Sequence, residues 1–371
     1  MKKYRVAIIG CGGIANSKHM PALALNPQTE MVAFCDIIVE RAEAAAKKYG
    51  TPDAKVYEDY RELLKDESID NVHVCTPNRM HSVISVDALD AGKNVLCEKP
   101  MAINAEEAKR MLEARDRNGK ILTIGFQYRR RVMSEKMKAI IDTGALGEIY
   151  FAKANAIRRR MLPAHGVFLD KYEQGGGTLI DNGCHALDMT LWMMNNYEPE
   201  YVLGSTYDKL AKLSRPGEQG NMMGSWDPDA FEVDDAGFAL IKMKNGATVI
   251  LESSWALNMI YAKNDCCTIC GTKAGISMEL DPTFKSIRTE RLMLNSIIAD
   301  RPAITEIDVP NDYAPNFRGP NANDKELANF LAAIEGTAEL IVKPEQAYVV
   351  TRILDAIYKS QEIGGAVYFE D

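Results

Sequence analysis

The first third of the chain alternates short apolar runs with longer segments of helical periodicity. The apolar runs predict strands, and the segments in which apolar positions recur about every 3.6 residues predict helices. The predicted strands cover 5–10, 31–36, 71–76, 94–98 and 121–125, and the predicted helices start at Gly12 and cover 39–49, 82–91 and 105–118. Strands and helices that alternate in this way form a parallel sheet with helices on both faces. We therefore predict an α/β fold whose first domain, residues 1–125, is a doubly wound parallel sheet.

The pattern changes after residue 125. The segments 150–157, 236–243 and 247–255 predict strands of a larger, mainly antiparallel open sheet, and Asn245-Gly246 predicts a hairpin turn between the last two. Helices are predicted over 324–335 and 345–361. Residues 213–229 are rich in Gly, Pro, Met and Asn and predict a long surface loop. The second predicted domain, 126–371, is therefore an α/β domain built on this open sheet.

Composition narrows the class of protein without identifying it. A chain of 371 residues fits two domains at roughly 150 residues each. Its net charge of −8 argues against a nucleic acid or an anionic membrane surface as partner. The apolar run 6–9 near the start is too short for a secretory signal, and no segment approaches the ~20 apolar residues of a membrane span. We expect a cytoplasmic protein that binds neither nucleic acid nor membrane.

Eight cysteines could indicate a metal site or disulfides, but four of them predict buried free thiols. Those at 11, 35, 75 and 97 lie in or beside apolar runs, where free cysteine behaves as a small hydrophobic residue. A second cluster, at 266–270, has the pattern of a strand that runs into a turn at Gly271. Cys267 and Cys270 would then point to opposite faces of the strand, so they could not bind one ion together.

A glycine-rich motif follows the first predicted strand. Its pattern is Gly10-x-Gly12-x-x-Ala15, and it opens the first predicted helix. In this context Gly10 makes a tight turn, Gly12 lets the backbone approach a pyrophosphate, and Ala15 permits close helix–strand packing. The helix N-terminus offers free N–H groups and a partial positive charge to phosphate. The motif predicts a dinucleotide site, with a glycine turn that binds nothing as the alternative.

Asp36 ends the second predicted strand, about 20 residues past the glycine turn. A carboxylate at this position accepts hydrogen bonds from the ribose hydroxyls and repels a 2′-phosphate, so it favours NAD over NADP. Arg41 lies one helical turn later and would weaken that preference.

Two further segments end strands at the same edge of the predicted sheet. Residues 76–78, Thr-Pro-Asn, follow the fourth strand, and Lys99 follows the next strand along the chain. Ligands of open α/β sheets bind at the carboxyl ends of the strands. Pro100 favours an extended backbone at Lys99, which would direct its ammonium toward that edge. A simple turn and a surface lysine are the alternatives.

The candidate proton-transfer residues lie in the second half of the chain. Three glycines, 175–177, precede a predicted helix that runs to about residue 195 and carries Asp181, His185 and Asp188 at i, i+4 and i+7, on one face. A helix start favours ionised aspartate and disfavours protonated histidine, which would leave the imidazole free to act as a base. The alternative is structural, with Asp181 as the N-cap and His185 as a packed core residue.

Taken together, these motifs resemble the Gfo/Idh/MocA oxidoreductases, and the resemblance runs nearly end to end. It is carried by segments 10–15, 76–78 with His81, 98–100, 175–185 with Asp188, and 232–235, together with Asp36. The resemblance implies a Rossmann domain followed by a mixed α/β domain whose open sheet often forms the oligomer interface. It therefore also implies a homo-oligomer, and it implies that Lys99, Asp181 and His185 line the substrate pocket beside the nicotinamide.

The motifs and the resemblance together define a predicted set of site residues. The catalytic residues predicted are Lys99, Asp181 and His185. The cofactor-binding residues predicted are Gly10, Gly12, Gly13, Ile14, Ala15, Asp36, Arg41, Thr76, Pro77, Asn78, His81, Glu98, Lys99 and Gln127. The substrate-binding residues predicted are Tyr128, Arg158, Arg160, His165 and Asn182. The arginines belong to a triplet, 158–160, that is predicted to lie over the pocket, with solvated surface as the alternative.

The predicted function is NAD-dependent transfer of a hydride between nicotinamide and a ring CH–OH or C=O of a sugar or glycoside. Oxidation of a glucoside to its 3-keto derivative is one example, and inositol oxidation is the nearest alternative. An enzyme that holds NAD tightly and recycles it in place is a further possibility. A non-catalytic NAD-binding sensor would be a protein of a different class.

Overall fold

The computed structural model describes residues 3–213, 221, 223–260, 262, 266–280, 290–312 and 319–370. The strands are β1 Tyr4–Ile9, β2 Thr29–Cys35, β3 Lys55–Tyr57, β4 Asn71–Val74, β5 Asn94–Cys97, β6 Leu122–Ile124, β7 Ile149–Ile157, β8 Pro199–Tyr207, β9 Ala236–Met243, β10 Thr248–Ser254, β11 Cys266–Gly271, β12 Gly275–Leu280, β13 Glu290–Ile298, β14 Arg301–Ile307 and β15 Val367–Tyr368. The α-helices are α1 Met20–Leu25, α2 Val39–Tyr49, α3 Tyr60–Leu64, α4 Arg79–Asp90, α5 Ala105–Asn118, α6 Val132–Asp142, α7 Lys171–Gln174, α8 Cys184–Met194, α9 Lys209–Leu213, α10 Ala322–Ile334 and α11 Pro344–Ile363.

The first sheet confirms the predicted parallel architecture. Its six strands are ordered β3-β2-β1-β4-β5-β6, and every neighbouring pair is parallel. This is the strand order of a dinucleotide-binding Rossmann fold, whose ligands bind beyond the carboxyl ends of the strands. Helices α2 and α5 have the predicted bounds. The short elements β3 and α3 were not predicted from the sequence, because strands and helices of three to five residues carry little periodic pattern.

The chain divides into two compact units, and the first is not continuous in sequence. It comprises Met1–Gln127 and Pro320–Tyr348, and the second comprises Tyr128–Gly319 and Val349–Asp371. The division predicted at residue 125 therefore differs mainly in segment 320–348. That segment joins the first unit because Leu327 and Leu331 of α10 are buried in the core that covers β1 and β2.

The second unit contains the large open sheet that was predicted. Nine strands are ordered β14-β13-β12-β11-β7-β10-β9-β8-β15. The β7–β10 pair is parallel, and the other pairs are antiparallel. The predicted β9–β10 hairpin is confirmed, and Gly246 in its turn has a φ of +89°, a conformation that glycine adopts without strain.

The predicted long loop over 213–229 is only partly a surface loop. Leu213 ends α9, and Pro228–Ala230 form a 3₁₀ turn. Trp226 is buried beside Trp255, and its indole N–H donates to the carbonyl of Ala211 at 3.1 Å. Residues 214–220 and 222 lie outside the described part of the chain. The burial of Trp226 was not predicted, because one aromatic residue among Gly, Pro and Asn gives no periodic signal.

The predicted burial of the first four cysteines is confirmed. Cys11, Cys35, Cys75 and Cys97 are each at most 7% exposed. Burial, with a contribution from the Asp36 charge, raises the pKa of Cys11 and Cys35 to about 12, so both thiols stay protonated. The predicted strand at 266–270 is β11. Among the described residues, no helix combines the length and the hydropathy that crossing a membrane requires.

Candidate active site

The glycine motif forms a turn between β1 and the first helix. Gly10 has a φ of +91°, and its N–H donates to the carbonyl of Cys35 at 2.8 Å. A side chain at Gly10 would place Cβ 2.5 Å from the carbonyl oxygen of Cys75, so only glycine fits here. At Gly12 and Gly13, in contrast, a Cβ would meet nothing within 4 Å. The turn is closed toward the sheet and open on its other side, as a backbone that approaches a pyrophosphate requires.

The helix that follows starts directly at this turn. Asn16 N–H bonds to the carbonyl of Gly12 at 3.1 Å, and Ala15–His19 form a π-helical turn that continues into α1. The N–H groups of the first helical turn lack intrahelical acceptors and bind anions readily. Ile14 is half-buried and Ala15 is fully buried, which fits their predicted places in the motif.

Asp36 contacts the glycine turn through its carboxylate. Its Oδ2 accepts from Cys11 N–H at 2.8 Å, and its Oδ1 accepts from Ile38 N–H at 2.9 Å. A carboxylate has about four acceptor positions, so two remain for the hydroxyls of a ribose. Arg41, in the first turn of α2, is exposed. The turn, the helix start and Asp36 together fit a dinucleotide.

His81 joins two loops at the carboxyl edge of the sheet. Its Nδ1 lies 2.7 Å from the carbonyl oxygen of Pro100, and its Nε2 lies 2.9 Å from that of Thr76. Both partners are acceptors, so the neutral imidazole, which has one N–H, donates to only one of the two carbonyls at a time. Burial lowers the pKa of His81, although the two carbonyls oppose this shift. The geometry points to a residue that fixes segment 76–78 and the Lys99-Pro100 segment relative to each other.

Glu98 is the centre of a buried polar network. Its Oε1 accepts from His19 Nε2 at 2.9 Å and lies 3.6 Å from Lys18 Nζ, and its Oε2 accepts from Lys99 N–H at 3.1 Å. Burial would raise the pKa of Glu98, but the nearby charge of Lys18 and the hydrogen bond from His19 outweigh it and hold the pKa below its ordinary range. The ionised carboxylate thus holds the backbone of Lys99.

Gln127 belongs to the same network. In the orientation that satisfies its neighbours, its amide nitrogen donates to the carbonyl of Gly125 at 2.6 Å and its oxygen accepts from Lys18 Nζ at 2.6 Å. Lys18 therefore connects Gln127 with Glu98, two residues that were predicted to bind the cofactor. Lys18 and His19 were not predicted as site residues. The indication in the sequence was their position one helical turn after the glycine motif. A position alone is weak evidence when the residues that Lys18 and His19 contact are not known.

His73 extends the network into the core. Its Nδ1 lies 2.9 Å from Nδ1 of His19, and its Nε2 has no hydrogen-bond partner among the described residues. Burial, with the neighbouring His19, holds the pKa of His73 well below 6.5. His73 is therefore neutral in the folded protein at mildly acidic pH, whereas an unfolded chain protonates it below about pH 6.5.

We expect folding stability to fall as the pH drops below 6.5, partly because of His73. The unfolded state binds one more proton at this residue, which costs up to about 1.4 kcal/mol per pH unit. Replacing His73 with glutamine should therefore reduce the decrease in melting temperature between pH 7.5 and pH 5.5. The same comparison between pH 7.5 and pH 8.5 provides the control, because His73 does not titrate there. An unchanged decrease in the variant would contradict a neutral, buried His73.

In the second unit, each of the three glycines has a separate structural role. Gly175 ends α7 with a φ of +79°, a Cβ at Gly176 would collide with the hydroxyl of Tyr358, and a Cβ at Gly177 would collide with the backbone of Asp234. These collisions explain why a run of glycines precedes the helix. No pyrophosphate role is needed for them.

Asp234 caps the helix that carries the candidate proton-transfer residues. Its carboxylate accepts from Gly177 N–H at 2.7 Å, from Leu179 N–H at 3.1 Å and from the hydroxyl of Tyr358 at 2.7 Å. The cap is therefore Asp234 and not Asp181, which lies inside the first turns of this helix. Segment 232–235 is one of those that carried the resemblance. Its Asp234 contributes to the site by capping the start of this helix.

Asp181 is oriented by a buried tryptophan. The indole N–H of Trp255 donates to Asp181 Oδ2 at 3.1 Å, and Trp255 is fully buried. The Leu179–Gly183 segment is a π-helical turn that leads into α8. The predicted helix is therefore confirmed, and its first part is wound as a π-helix. Trp255 was missed as a site residue, because a tryptophan at the end of an apolar strand resembles any core residue.

His185 lies in the first turn of α8 and is 8% exposed. Its imidazole stacks on the ring of Tyr128, with centroids 4.3 Å apart and planes 20° from parallel. Asp188, predicted on the same face, is instead paired with Arg129 through two hydrogen bonds of 2.6 and 2.9 Å. Burial raises the pKa of Asp188, and the Arg129 guanidinium opposes that shift. The carboxylate of Asp188 is therefore used in an ion pair within the protein.

The predicted substrate-binding residues differ in their surroundings. Asn182 is 4% exposed, and its amide nitrogen has no hydrogen-bond partner within the described residues, which leaves a buried donor for a bound molecule or water. Arg158 follows β7 and is half-buried, and Arg160 donates to Asn258 at 2.6 Å. His165 is exposed and packs edge-on against Phe168.

Comparisons with known proteins agree with both units. Residues 4–126 match the oxidoreductase family with an NAD-binding Rossmann fold, and residues 134–277 match the GFO/IDH/MocA C-terminal domain. The chain is 32% identical over 363 residues to D-glucoside 3-dehydrogenase of Escherichia coli K12. The aligned region covers 98% of this chain and 97% of that protein. It is also 28% identical over 369 residues to inositol 2-dehydrogenase of Salmonella typhimurium. That aligned region covers 99% of this chain and 96% of the relative.

The fold is also that of a solved structure. Levoglucosan dehydrogenase in complex with NADH and levoglucosan matches with a TM-score of 0.79 and 22% identity over 99% of both chains. The glycine turn with Asp36, the capped helix with Asp181 and His185, and these matches lead to one conclusion. The chain belongs to the Gfo/Idh/MocA family of oxidoreductases.

Proposed function

We propose that this protein is an NAD-dependent dehydrogenase that oxidises a ring hydroxyl of a sugar or glycoside to a ketone. The observation that carries the proposal is the arrangement of Asp181 and His185 at the start of one helix. Asp181 is held there by the indole of Trp255, and His185 is held against Tyr128. A base with a fixed ring beside an oriented carboxylate is the arrangement that proton abstraction from a hydroxyl needs.

In the proposed reaction, His185 accepts the hydroxyl proton. Asp181 orients either the imidazole or the substrate, and Lys99 stabilises the negative charge that develops on the substrate oxygen. A bound nicotinamide supplies the hydride acceptor for the ring C–H bond. The reverse reduction uses the same residues, with His185 returning the proton.

The substrate class follows from hydrogen-bonding capacity and from relatives. The unsatisfied amide of Asn182 and the guanidinium groups of Arg158 and Arg160 suit a ring with several hydroxyls. The E. coli relative is a D-glucoside 3-dehydrogenase, which supports oxidation of a glucoside at C3. A cyclitol is the second candidate, favoured by the inositol 2-dehydrogenase relative.

We further propose NAD, rather than NADP, as the cofactor. The buried carboxylate of Asp36 would repel a 2′-phosphate by on the order of 1–3 kcal/mol at an effective dielectric between those of protein and water. The wild-type protein should bind NAD more tightly than NADP, and Asp36→Asn, which keeps one acceptor oxygen, should narrow the difference about 10- to 100-fold. Fluorescence titration of both cofactors measures this. Tighter binding of NADP by the wild type would contradict the assignment.

The proposed function is tested with purified protein, NAD and a panel of glucosides, aldoses and inositols. Formation of NADH is followed at the same time as the ketone product is identified by NMR. We expect one class of ring substrate to give equal amounts of both. Tight NAD binding without turnover of any member would favour a sensor, and ketone formation without added NAD would favour a cofactor that is recycled in place.

A further inference from the structure

Tyr128 and His185 form a stacked pair of rings within the second unit. Their ring centroids are 4.3 Å apart, and their planes are within 20° of parallel. Tyr128 is half-buried and His185 is 8% exposed, so the pair is largely protected from water. An imidazole that rests on a flat ring keeps its plane, because rotation about its side-chain bonds would break the stack.

The residue after Tyr128 is anchored to the helix that carries His185. Arg129 binds Asp188 through Nε at 2.9 Å and through Nη2 at 2.6 Å, and both side chains are 0–1% exposed. Such a two-bond guanidinium–carboxylate pair fixes direction as well as distance. Because Asp188 lies three residues after His185 on α8, Arg129 and Tyr128 attach to the same turn of helix.

A second cation lies beside the Tyr128 ring. The Arg131 guanidinium lies 5.5 Å from the centroid of the Tyr128 ring, and Arg131 is itself 2% exposed. Arg131 directly follows the 3₁₀ turn Gln127–Arg130, so this cation and the Arg129–Asp188 pair together limit where the Tyr128 ring can lie.

We propose that Tyr128 is a positioning residue for His185, and that the buried Arg129–Asp188 pair holds Tyr128 in place. This rests on the proposed function, in which His185 is the base. The ring of Tyr128 fixes the plane of the imidazole. His185 is therefore held in the one rotamer that directs an imidazole nitrogen to the substrate hydroxyl. Neither the phenolic hydroxyl of Tyr128 nor the carboxylate of Asp188 takes part in the chemistry.

The ring of Tyr128 and its hydroxyl can be tested separately by substitution. Tyr128→Phe keeps the stack, so its loss of kcat should be at least about tenfold smaller than that of Tyr128→Leu. Tyr128→Leu keeps an apolar side chain but removes the stack. Since a misplaced catalytic group can cost about 10²-fold, kcat should fall about 10- to 100-fold in this variant, with KM within about threefold. A ligand role of the hydroxyl would instead raise KM in both variants.

A measurement without substrate accompanies the kinetics. The stacked ring should shift the imidazole C–H resonances of His185 upfield, and the chain has only five histidines, so His185→Asn suffices to assign them. The shift should persist in Tyr128→Phe and disappear in Tyr128→Leu. An unaltered kcat in Tyr128→Leu, or an equal loss of kcat in both Tyr128 variants, would overturn the proposal.

The anchor requires a paired variant. Removing only one partner leaves a buried charge alone, which destabilises the fold, so Arg129→Met is combined with Asp188→Leu. We expect the double variant to fold, to lose most of the upfield shift of His185 and to lose kcat as Tyr128→Leu does. A folded double variant with both properties unchanged would refute the anchor. If the wild type oxidises no sugar or cyclitol, the proposed function fails, while the NMR shifts still decide whether Tyr128 and the anchor hold His185.

Discussion

Replacing His185 with asparagine is expected to lower the rate of sugar oxidation by roughly 10²–10⁴-fold, the usual effect of removing a general base. Asparagine keeps a similar size and some hydrogen-bonding capacity but cannot accept the proton. Binding of NAD should persist, because the glycine turn and Asp36 do not depend on this side chain. The wild-type rate should also rise with pH through the range in which histidine titrates, since only the neutral imidazole accepts a proton, and this rise should vanish in the variant.

The structural interpretation of His185 makes the opposite prediction. A histidine that is only packed in the core would cost stability on replacement, typically about 1 kcal/mol or more, and would leave the rate per folded molecule nearly unchanged. Melting temperature and the pH–rate profile, measured on the same two preparations, separate the two cases. A variant that melts early but keeps both its rate and its pH dependence would remove His185 from the mechanism.

Replacing Lys99 with methionine is expected to lower turnover by about 10²-fold or more, which corresponds to about 2.7 kcal/mol of transition-state stabilisation. Methionine keeps the apolar stem and removes the charge that would face the developing alkoxide. The backbone N–H of Lys99, which bonds to Glu98 at 3.1 Å, is retained. Cofactor binding should therefore survive, and kcat should carry the loss.

Lys93 provides a matched control for Lys99. It lies just before β5, at the end of that strand opposite to Lys99, and its ammonium donates to the carbonyl of Asp66 at 2.8 Å. Lys93→Met also removes one charge next to β5, but at the end of the strand away from the candidate site. It should therefore leave kcat of the folded protein unchanged even if its melting temperature falls. Equal turnover by Lys99→Met and the wild type would make Lys99 a structural residue.

Repeating patterns explain why much of the fold was predictable. The six-stranded sheet follows from apolar runs that alternate with helices, and α2 and α5 matched in every residue because each is a long amphipathic segment. A helix was predicted over 324–335 within the second domain, whereas α10 spans Ala322–Ile334 and packs within the first compact unit. Periodicity gives the buried face of a helix, here Leu327 and Leu331, but does not identify the core against which that face packs.

The candidate site was predictable where a motif has a local cause. Gly10 requires a positive φ at a fixed place after a strand, so the sequence pattern contains its role. The contacts of Asp234 with the helix start and of Trp255 with Asp181 join residues 55–74 positions apart. Such pairs exist only after the sheet has formed, and neither residue type indicates its partner in the sequence.

The most direct test of the proposed function follows a single hydrogen atom. Methyl glucoside and myo-inositol, each deuterated at the ring carbons, are incubated with the wild-type protein and NAD, and the nicotinamide is analysed by mass spectrometry. The proposed function predicts reduced nicotinamide that carries one deuterium, formed in equal amount with a ring ketone. Binding of NAD without any transfer of deuterium from either ring, under conditions in which the protein is folded, would contradict it.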